Sequence, residues 1–230
     1  MEQKIVVIIP AFNEENAVGK VIRDIPKNLA DEIIVVNNNS TDLTSEIARE
    51  AGATVLFEPK KGYGRACLKG MDYLQNQRTE KTDIVVFIDA DYSDYPEEMS
   101  KLVQPILSGK AQLVIGSRAL GKREKGAMTI PQLFGNWLAT NLMRIIYGAK
   151  FTDLGPFRAM DYKALLSLDM QDQTYGWTVE MQLKVAKQKM RYCEIPVNYR
   201  KRIGFSKISG TVKGTIMAGY KIISTLFKYF

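Results

Sequence analysis

The chain has 230 residues, 46% apolar and 25% charged, proportions that exclude a disordered protein and fit one well-buried domain better than two large ones. Its net charge of +7 favours an anionic partner, whether nucleotide, nucleic acid or membrane surface. Histidine is absent, which removes the commonest general base, and Cys67 and Cys193 lack metal-ligand spacing, so neither a zinc centre nor a disulfide framework is expected and a reducing compartment is.

In chain order, Lys4 to Ile9 is a β-branched run closed by Pro10 and reads as a first strand, leaving no room for a signal peptide ahead of it. Asn13 stands where it can cap a helix running to about Ile25. A second strand, Glu32 to Val36, ends in Asn37-Asn38-Asn39-Ser40-Thr41-Asp42, where Ser40 or Thr41 can cap a helix to about Ala51. Thr54 to Phe57 reads as a third strand, and Lys60 to Arg65 opens a helix from Ala66 to about Gln77. The fourth strand, from Ile84, runs into Asp89-Ala90-Asp91. A helix after Pro96 and a fifth strand, Gln112 to Ile115, follow, the latter ending in Gly116-Ser117-Arg118. Strict alternation of strand and helix over half the chain predicts an α/β fold with a parallel, doubly wound sheet.

The rhythm then changes. A charged segment, Gly121 to Gly126, precedes a long apolar helix, Pro131 to Tyr147; helices around Tyr162 to Ser167 and Trp177 to Lys189, a strand from Tyr192 to Val197 and a basic loop, Lys201 to Lys207, follow. The closing helix, Thr211 to Phe230, carries Ile216, Met217, Tyr220, Ile223 and Phe227 at spacings of three and four. That pattern fits an amphipathic helix lying on a membrane and equally one docked on the sheet; the preference here is for membrane contact. No apolar run reaches the roughly 20 residues of a membrane-spanning helix.

An uninterrupted apolar strand ending in two carboxylates one residue apart is the strongest single signal. Residues i and i+2 of an extended chain point the same way, so Asp89 and Asp91 can share a hard divalent cation, or divide that work with a sugar ring. The alternative is a solvated turn in which Asp serves turn chemistry. Five polar loops at strand tips, Asn13 to Asn16, Asn37 to Asp42, Lys60 to Arg65, Asp89 to Asp94 and Gly116 to Arg118, gather on one sheet edge, where open α/β sheets bind ligands.

Val7 to Glu14, Asp89-Ala90-Asp91, Gly116-Ser117-Arg118 and the Asp153 to Arg158 segment, in this order along the chain, resemble the family 2 glycosyltransferases of GT-A fold, most closely the dolichyl-phosphate mannose synthase and polyprenyl-phosphate glucosyltransferase group. The resemblance implies a single domain over residues 1–230. Residues 1–118 would be its nucleotide-sugar half, 119–210 its acceptor half and 211–230 the amphipathic helix. It implies an inverting enzyme that uses a UDP or GDP sugar, UDP-glucose or GDP-mannose, with Mg²⁺ or Mn²⁺. Asp91 and Asp89 would hold the metal. Pro10, Ala11, Phe12 and Glu14, together with Asn37, Asn39, Lys61, Gly64, Asp89 and Ala90, would surround the nucleotide sugar. Two departures stand out: Asn37 and Asn38 replace the acidic residue common at the second strand's tip, and Ser93, with Asp94 beside it, occupies the place of a Gln metal ligand.

The implied acceptor is a polyprenyl phosphate at the cytoplasmic face of a membrane. A phosphate monoester has its second pKa near ~6, so it can attack without a general base. Arg118, Arg158, Arg202 and Lys207 are the candidate partners of that phosphate, and Asp153 or Glu180 the bases available for a hydroxyl acceptor instead. Each has a structural alternative: Arg158 can pin a loop to a backbone carbonyl, Asp153 can cap the chain before Gly155, and the two glycines of Lys61-Gly62-Tyr63-Gly64 serve a tight turn as well as a phosphate cradle. Nucleic acid is not an expected partner, a protein that binds nucleotide sugars without turnover is the rival from another class, and dimerisation through the late apolar helices stays open.

Overall fold

The computed structural model describes residues 3–78, 81–204 and 219–229, apart from 222 and 226. Strands β1 (Ile5–Ala11), β2 (Glu32–Asn37), β3 (Thr54–Phe57) and β4 (Ile84–Phe87) are parallel, with β1 between β2 and β4 and β3 outside β2. Helices α1 (Val18–Asp24), α2 (Thr44–Glu50), α3 (Tyr63–Asn76) and α4 (Met99–Leu107) alternate with these strands and lead to β5 (Leu113–Ser117). Then come α5 (Ile130–Tyr147), β6 (Arg158–Asp161), α6 (Tyr162–Ser167), α7 (Trp177–Lys187) and β7 (Tyr192–Pro196). The seven strands form one sheet in the order β3-β2-β1-β4-β6-β5-β7.

Every residue of β1 is buried, because successive side chains enter opposite cores. Val6 and Ile8 pack beneath α3 and α7 with Met71, Leu74 and Trp177, while Val7 and Ile9 pack against α1 and α4 with Val18, Val21 and Leu102. The chain winds outward from β1 to β3 and then crosses back to β4. The gap between the carboxyl ends of β1 and β4 is therefore the point where winding reverses and loops diverge.

The sheet is mostly parallel, as expected, and mixed where the sequence gave no sign of it. β6 lies between β4 and β5 and runs antiparallel to both, pairing Val86 with Ala159 and Ile115 with Arg158. Four residues beginning with an arginine carry too little alternation to read as a strand. Strand β4 also stops at Phe87, so both carboxylates sit in the turn beyond it. Neither expected cap forms: Asn13 adopts a left-handed backbone (φ 53°), and the Ser40 hydroxyl accepts from its N–H, so the two loops tie to each other and α1 and α2 start later, at Val18 and Thr44. Helix α5 meets its expected bounds because its ends are chemically marked. Thr129 and Gln132 form a capping box, and Gly148 closes the helix in the left-handed conformation.

Residues 219–221, 223–225 and 227–228 are helical, with 229 in a turn, and their described polar contacts reach α7 and the 172 turn while Tyr220 and Phe227 stay exposed. Lys221 pairs with Asp172 at 2.8 Å, Thr225 is buried, and the Tyr229 hydroxyl donates to Glu180. The expected positions Ile216 and Met217 lie outside the described residues, as does Lys207.

Phe87 and Trp177 meet edge to face, ring centroids 4.6 Å apart, at the centre of the core beneath the site. Replacing Phe87 with Ala is expected to cost about 3–5 kcal/mol of stability in chemical denaturation. A loss below about 1 kcal/mol would contradict this packing.

Candidate active site

A cleft of about 240 Å³ opens at the β1/β4 switch point. Its lining comes from six stretches: Pro10-Ala11-Phe12 and Glu14 at the end of β1 and just beyond, Asn38 after β2, Lys61 to Tyr63 with Ala66 at the start of α3, Asp89 to Asp91 after β4, and the distant Tyr175 and Arg202. Of the residues expected at the nucleotide, Pro10, Ala11, Phe12, Glu14, Lys61, Asp89, Ala90 and Asp91 line it together. The Lys61 ammonium sits 4.4 Å from the Phe12 ring centroid, placing a cation beside an aromatic wall.

Three expected members do not line it. Asn37 turns to the loop, donating to the Ser45 hydroxyl and accepting from Ser40 N–H. Asn39 adopts φ 64°, a conformation asparagine tolerates, and serves the turn. Gly64 is needed for close approach: a Cβ there would lie 2.1 Å from the Asp172 carbonyl oxygen, and its N–H donates to Thr174 O at 3.1 Å, leaving nothing for a phosphate. Asn38 takes the place of its neighbours. Its amide accepts from Gly62 N–H at 2.7 Å and donates to Lys60 O at 2.8 Å, clamping the segment that carries Lys61.

The acidic pair is electrostatically uncomfortable. Asp91 Oδ1 accepts from both the backbone N–H and the hydroxyl of Ser93, and Oδ2 stands 3.2 Å from Arg202 Nη1. Ser93 thus supports Asp91. Asp89 is less well served. Its Oδ1 is buried without a hydrogen-bond partner, and burial together with the Asp91 charge pushes its carboxyl up to about 7. An orphaned hard oxygen next to a second carboxylate fits a divalent cation. Among the described residues no three acidic or thiol groups gather to bind a metal alone, so the cation would share its remaining positions with ligand phosphate and water.

Arg202, expected at the acceptor, closes the nucleotide cleft instead. Its Nη2 donates to Glu14 Oε1 at 2.9 Å and its Nη1 faces Asp91, while Ile203 N–H donates to the Asp91 carbonyl at 3.0 Å. One guanidinium therefore bridges two of the cleft's acids.

Arg118 and Asp153 form a buried fork: Nε to Oδ2 at 2.9 Å, Nη2 to Oδ1 at 2.7 Å, and Arg118 N–H to Oδ2 at 2.7 Å. Nη1 takes no part in that pair. Asp153 is thereby an orienting partner rather than a free base. Behind it, the Glu194 carboxylate accepts from Thr152 and Asp153 N–H, and Gln182 donates to the Asp153 carbonyl.

The other two expectations are corrected. Glu180 is wholly buried and accepts from Gln171 N–H, Asp172 N–H and Tyr229, with Lys184 at 2.7 Å, so its oxygens are engaged in organising the 171–174 turn. Arg158 is also wholly buried, spending its guanidinium on the carbonyls of Leu154, Gly155 and Thr178. Burial lowers its pKa to about 10.

Sequence reading missed Tyr63, Ala66 and Tyr175 in the lining, and it gave Asp94 no role. Asp94 is 2% exposed and neither carboxylate oxygen has a hydrogen-bond partner. Burial, then the Asp89 charge, pushes it well above the usual carboxylate range, with Arg118 opposing. A third Asp in a turn gives no sequence signal beyond turn chemistry.

Comparison with known proteins agrees with this geometry. The family model described as glycosyl transferase family 2 matches residues 6–168. The chain is 33% identical over 226 residues to an uncharacterised glycosyltransferase of Mycobacterium bovis, covering 96% of this chain and 98% of that one. It is 27% identical over 248 residues to a UDP-N-acetylglucosamine–dolichyl-phosphate N-acetylglucosaminyltransferase of Methanococcus voltae, covering 98% and 95%. In fold it resembles the glucosyl-3-phosphoglycerate synthase of Mycobacterium tuberculosis, solved with Mn²⁺, UDP and glucosyl-3-phosphoglycerate, with a TM-score of 0.78 at 23% identity over 99% of this chain and 80% of that one.

Two outcomes are expected. Because Asp89 has a folded-state pKa above its unfolded value, its contribution to the cation-free protein is intact below about pH 4 and lost as pH rises through 7. Proton and cation compete for it, so a fixed Mn²⁺ concentration should raise Tm more at about pH 8 than at about pH 6; an equal or smaller rise at the higher pH would remove Asp89 from the cation site. Gly64→Ala should displace the 172–174 segment and lower both stability and UDP affinity, whereas a phosphate-cradle role alone would leave stability intact. Denaturation midpoints measured alongside UDP titration separate the two.

Proposed function

The chain belongs to glycosyl transferase family 2, and from that premise we propose that it is an inverting transferase moving a hexose from a UDP or GDP sugar to a polyprenyl phosphate at a membrane surface. The carrying observation is that neither carboxylate first suited to act as base is free: Asp153 is held by Arg118, and Glu180 by backbone N–H groups. A nucleophile that brings its own negative charge suits such a site. A phosphate monoester, with its second pKa near ~6, is largely dianionic at neutral pH and needs no proton removed. The dolichyl-phosphate acceptor in the name of the Methanococcus relative supports the same reading.

In this reading Pro10, Ala11, Phe12 and Glu14 hold the base and ribose, and Lys61 meets the diphosphate. Asp89 and Asp91 would hold Mg²⁺ or Mn²⁺. When bound, the cation offsets charge accumulating on the departing nucleoside diphosphate. Arg118, fixed by Asp153, offers its Nη1 edge to the acceptor phosphate. Arg202, which bridges Glu14 and Asp91 here, would serve as a cation for the diphosphate. The protein's main contribution is to align two anionic reactants.

A second reading, transfer to a hydroxyl of a soluble acceptor, draws on Asp94, a buried carboxylate without a partner. The two readings separate in one assay: purified protein, Mg²⁺ or Mn²⁺, a panel of UDP and GDP sugars, and a short polyprenyl phosphate present or absent. Nucleoside diphosphate release is expected only with the lipid phosphate. Asp91→Ala should lose at least about 100-fold in kcat/KM, the scale of several kcal/mol of charge stabilisation, and Asp94→Asn should stay within about tenfold. Turnover without lipid, with a loss of about 10²-fold or more in Asp94→Asn, would instead establish a hydroxyl acceptor and Asp94 as its base.

A further inference from the structure

Helix α5 buries only part of its apolar surface. Its inward face mixes polar, small and apolar groups: Asn136 donates to Thr152 O at 3.0 Å and accepts from Leu154 N–H at 2.8 Å, Ala139, Thr140 and Met143 are buried, and Leu142 and Tyr147 pack partly buried against the core toward its C-terminal end. Its outward face carries Ile130, Phe134, Trp137 and Ile145, at 82%, 60%, 59% and 79% exposure, with Leu133 at their side. The Phe134 and Trp137 rings lie 5.9 Å apart on that face. A helix on a globular protein normally buries its most apolar stripe, and a continuous exposed one marks an interaction surface.

We propose that this face of α5 seats the protein on an anionic lipid bilayer. The charge around it selects that occupant. Between Ala119 and Lys150 the sequence holds five cations, Lys122, Arg123, Lys125, Arg144 and Lys150, and a single acid, Glu124. All five cations are exposed, and the Glu124 carboxylate accepts from Lys201 N–H. Apolar side chains flanked by lysine and arginine match the acyl boundary and the headgroups of an anionic leaflet. The surface is separate from the C-terminal helix, whose described residues pair Lys221 with Asp172 and Tyr229 with Glu180 of α7 and leave Tyr220 and Phe227 exposed without the basic cluster that precedes α5. It also has a link to the reaction. Asn136, on the inner side of α5, holds the two residues flanking Asp153, and Asp153 holds Arg118. Seated this way, the bilayer surface and the arginine assigned to the acceptor phosphate share one structural joint. That link rests on the proposed acceptor; the seating does not.

The test uses the full chain and vesicles that contain no polyprenyl phosphate: phosphatidylcholine alone, or with phosphatidylglycerol. Co-sedimentation is expected with the anionic vesicles and weakly or not at all with phosphatidylcholine. The chain has two tryptophans, and Trp177 is buried, so vesicle-induced blue shift of emission reads Trp137. The double variant Phe134→Ser/Trp137→Ser should bind about 100-fold more weakly, roughly tenfold for each large side chain withdrawn from lipid, while keeping its circular dichroism spectrum and UDP binding. Tyr220→Ser/Phe227→Ser, on the C-terminal helix, should bind within about threefold of the parent. Three results would overturn the proposal: no vesicle binding by the parent, undiminished binding by the α5 double variant, or a dimer that this variant converts to monomer without any lipid effect. Failure of the acceptor reading is separately visible, because it leaves vesicle binding unchanged and abolishes only lipid-dependent turnover.

Discussion

Two carboxylates held side by side beyond a buried strand set the terms for the rest of this site. Asp89 and Asp91 cannot both be ionised in a partly dehydrated cleft without compensation, and the protein supplies only some of it. Asp91 is served by Ser93 and Arg202, whereas Asp89 keeps an orphaned oxygen. The imbalance is the feature on which the proposed divalent cation and diphosphate rest. Arg202 illustrates the same need from the other side, since a residue more than a hundred positions away folds back to bridge Glu14 and Asp91.

The arginines divide the remaining labour by burial. Arg158 is enclosed and satisfied by carbonyls, so it acts as a pin between β6 and the start of α7. Arg118 is held by a two-pronged pair that fixes its plane while leaving one nitrogen outside the pair. A fixed guanidinium suits an incoming phosphate better than a mobile one, because less rotamer freedom is lost on binding. Glu180 and Asp153, which resemble bases in sequence, are consumed by this organisation.

Around that centre the fold adds two helices with opposite habits. The described C-terminal helical residues use polar contacts to dock on α7, next to the turn that packs on Gly64 and hence near the cleft's Lys61 wall. Helix α5 turns Phe134 and Trp137 to solvent and the Asn136 amide inward to the Thr152–Leu154 segment. Surface and site are thus joined by Asn136, a residue whose importance lies in what it holds.

The sequence by itself determined the strand and helix alternation, the acidic turn, the loops from Pro10 to Glu14 and from Lys61 onward, and the extent of α5, because apolar runs and i, i+2 carboxylates are local patterns. It could not determine β6, whose four residues are a strand only because β4 and β5 flank them. Nor could it tell Asn38 from Asn37, Gly64's packing role from a phosphate cradle, or a free Glu180 from a saturated one. Those distinctions depend on contacts between residues distant in the chain, and only the folded arrangement decides which hydrogen bonds a polar group has left to give.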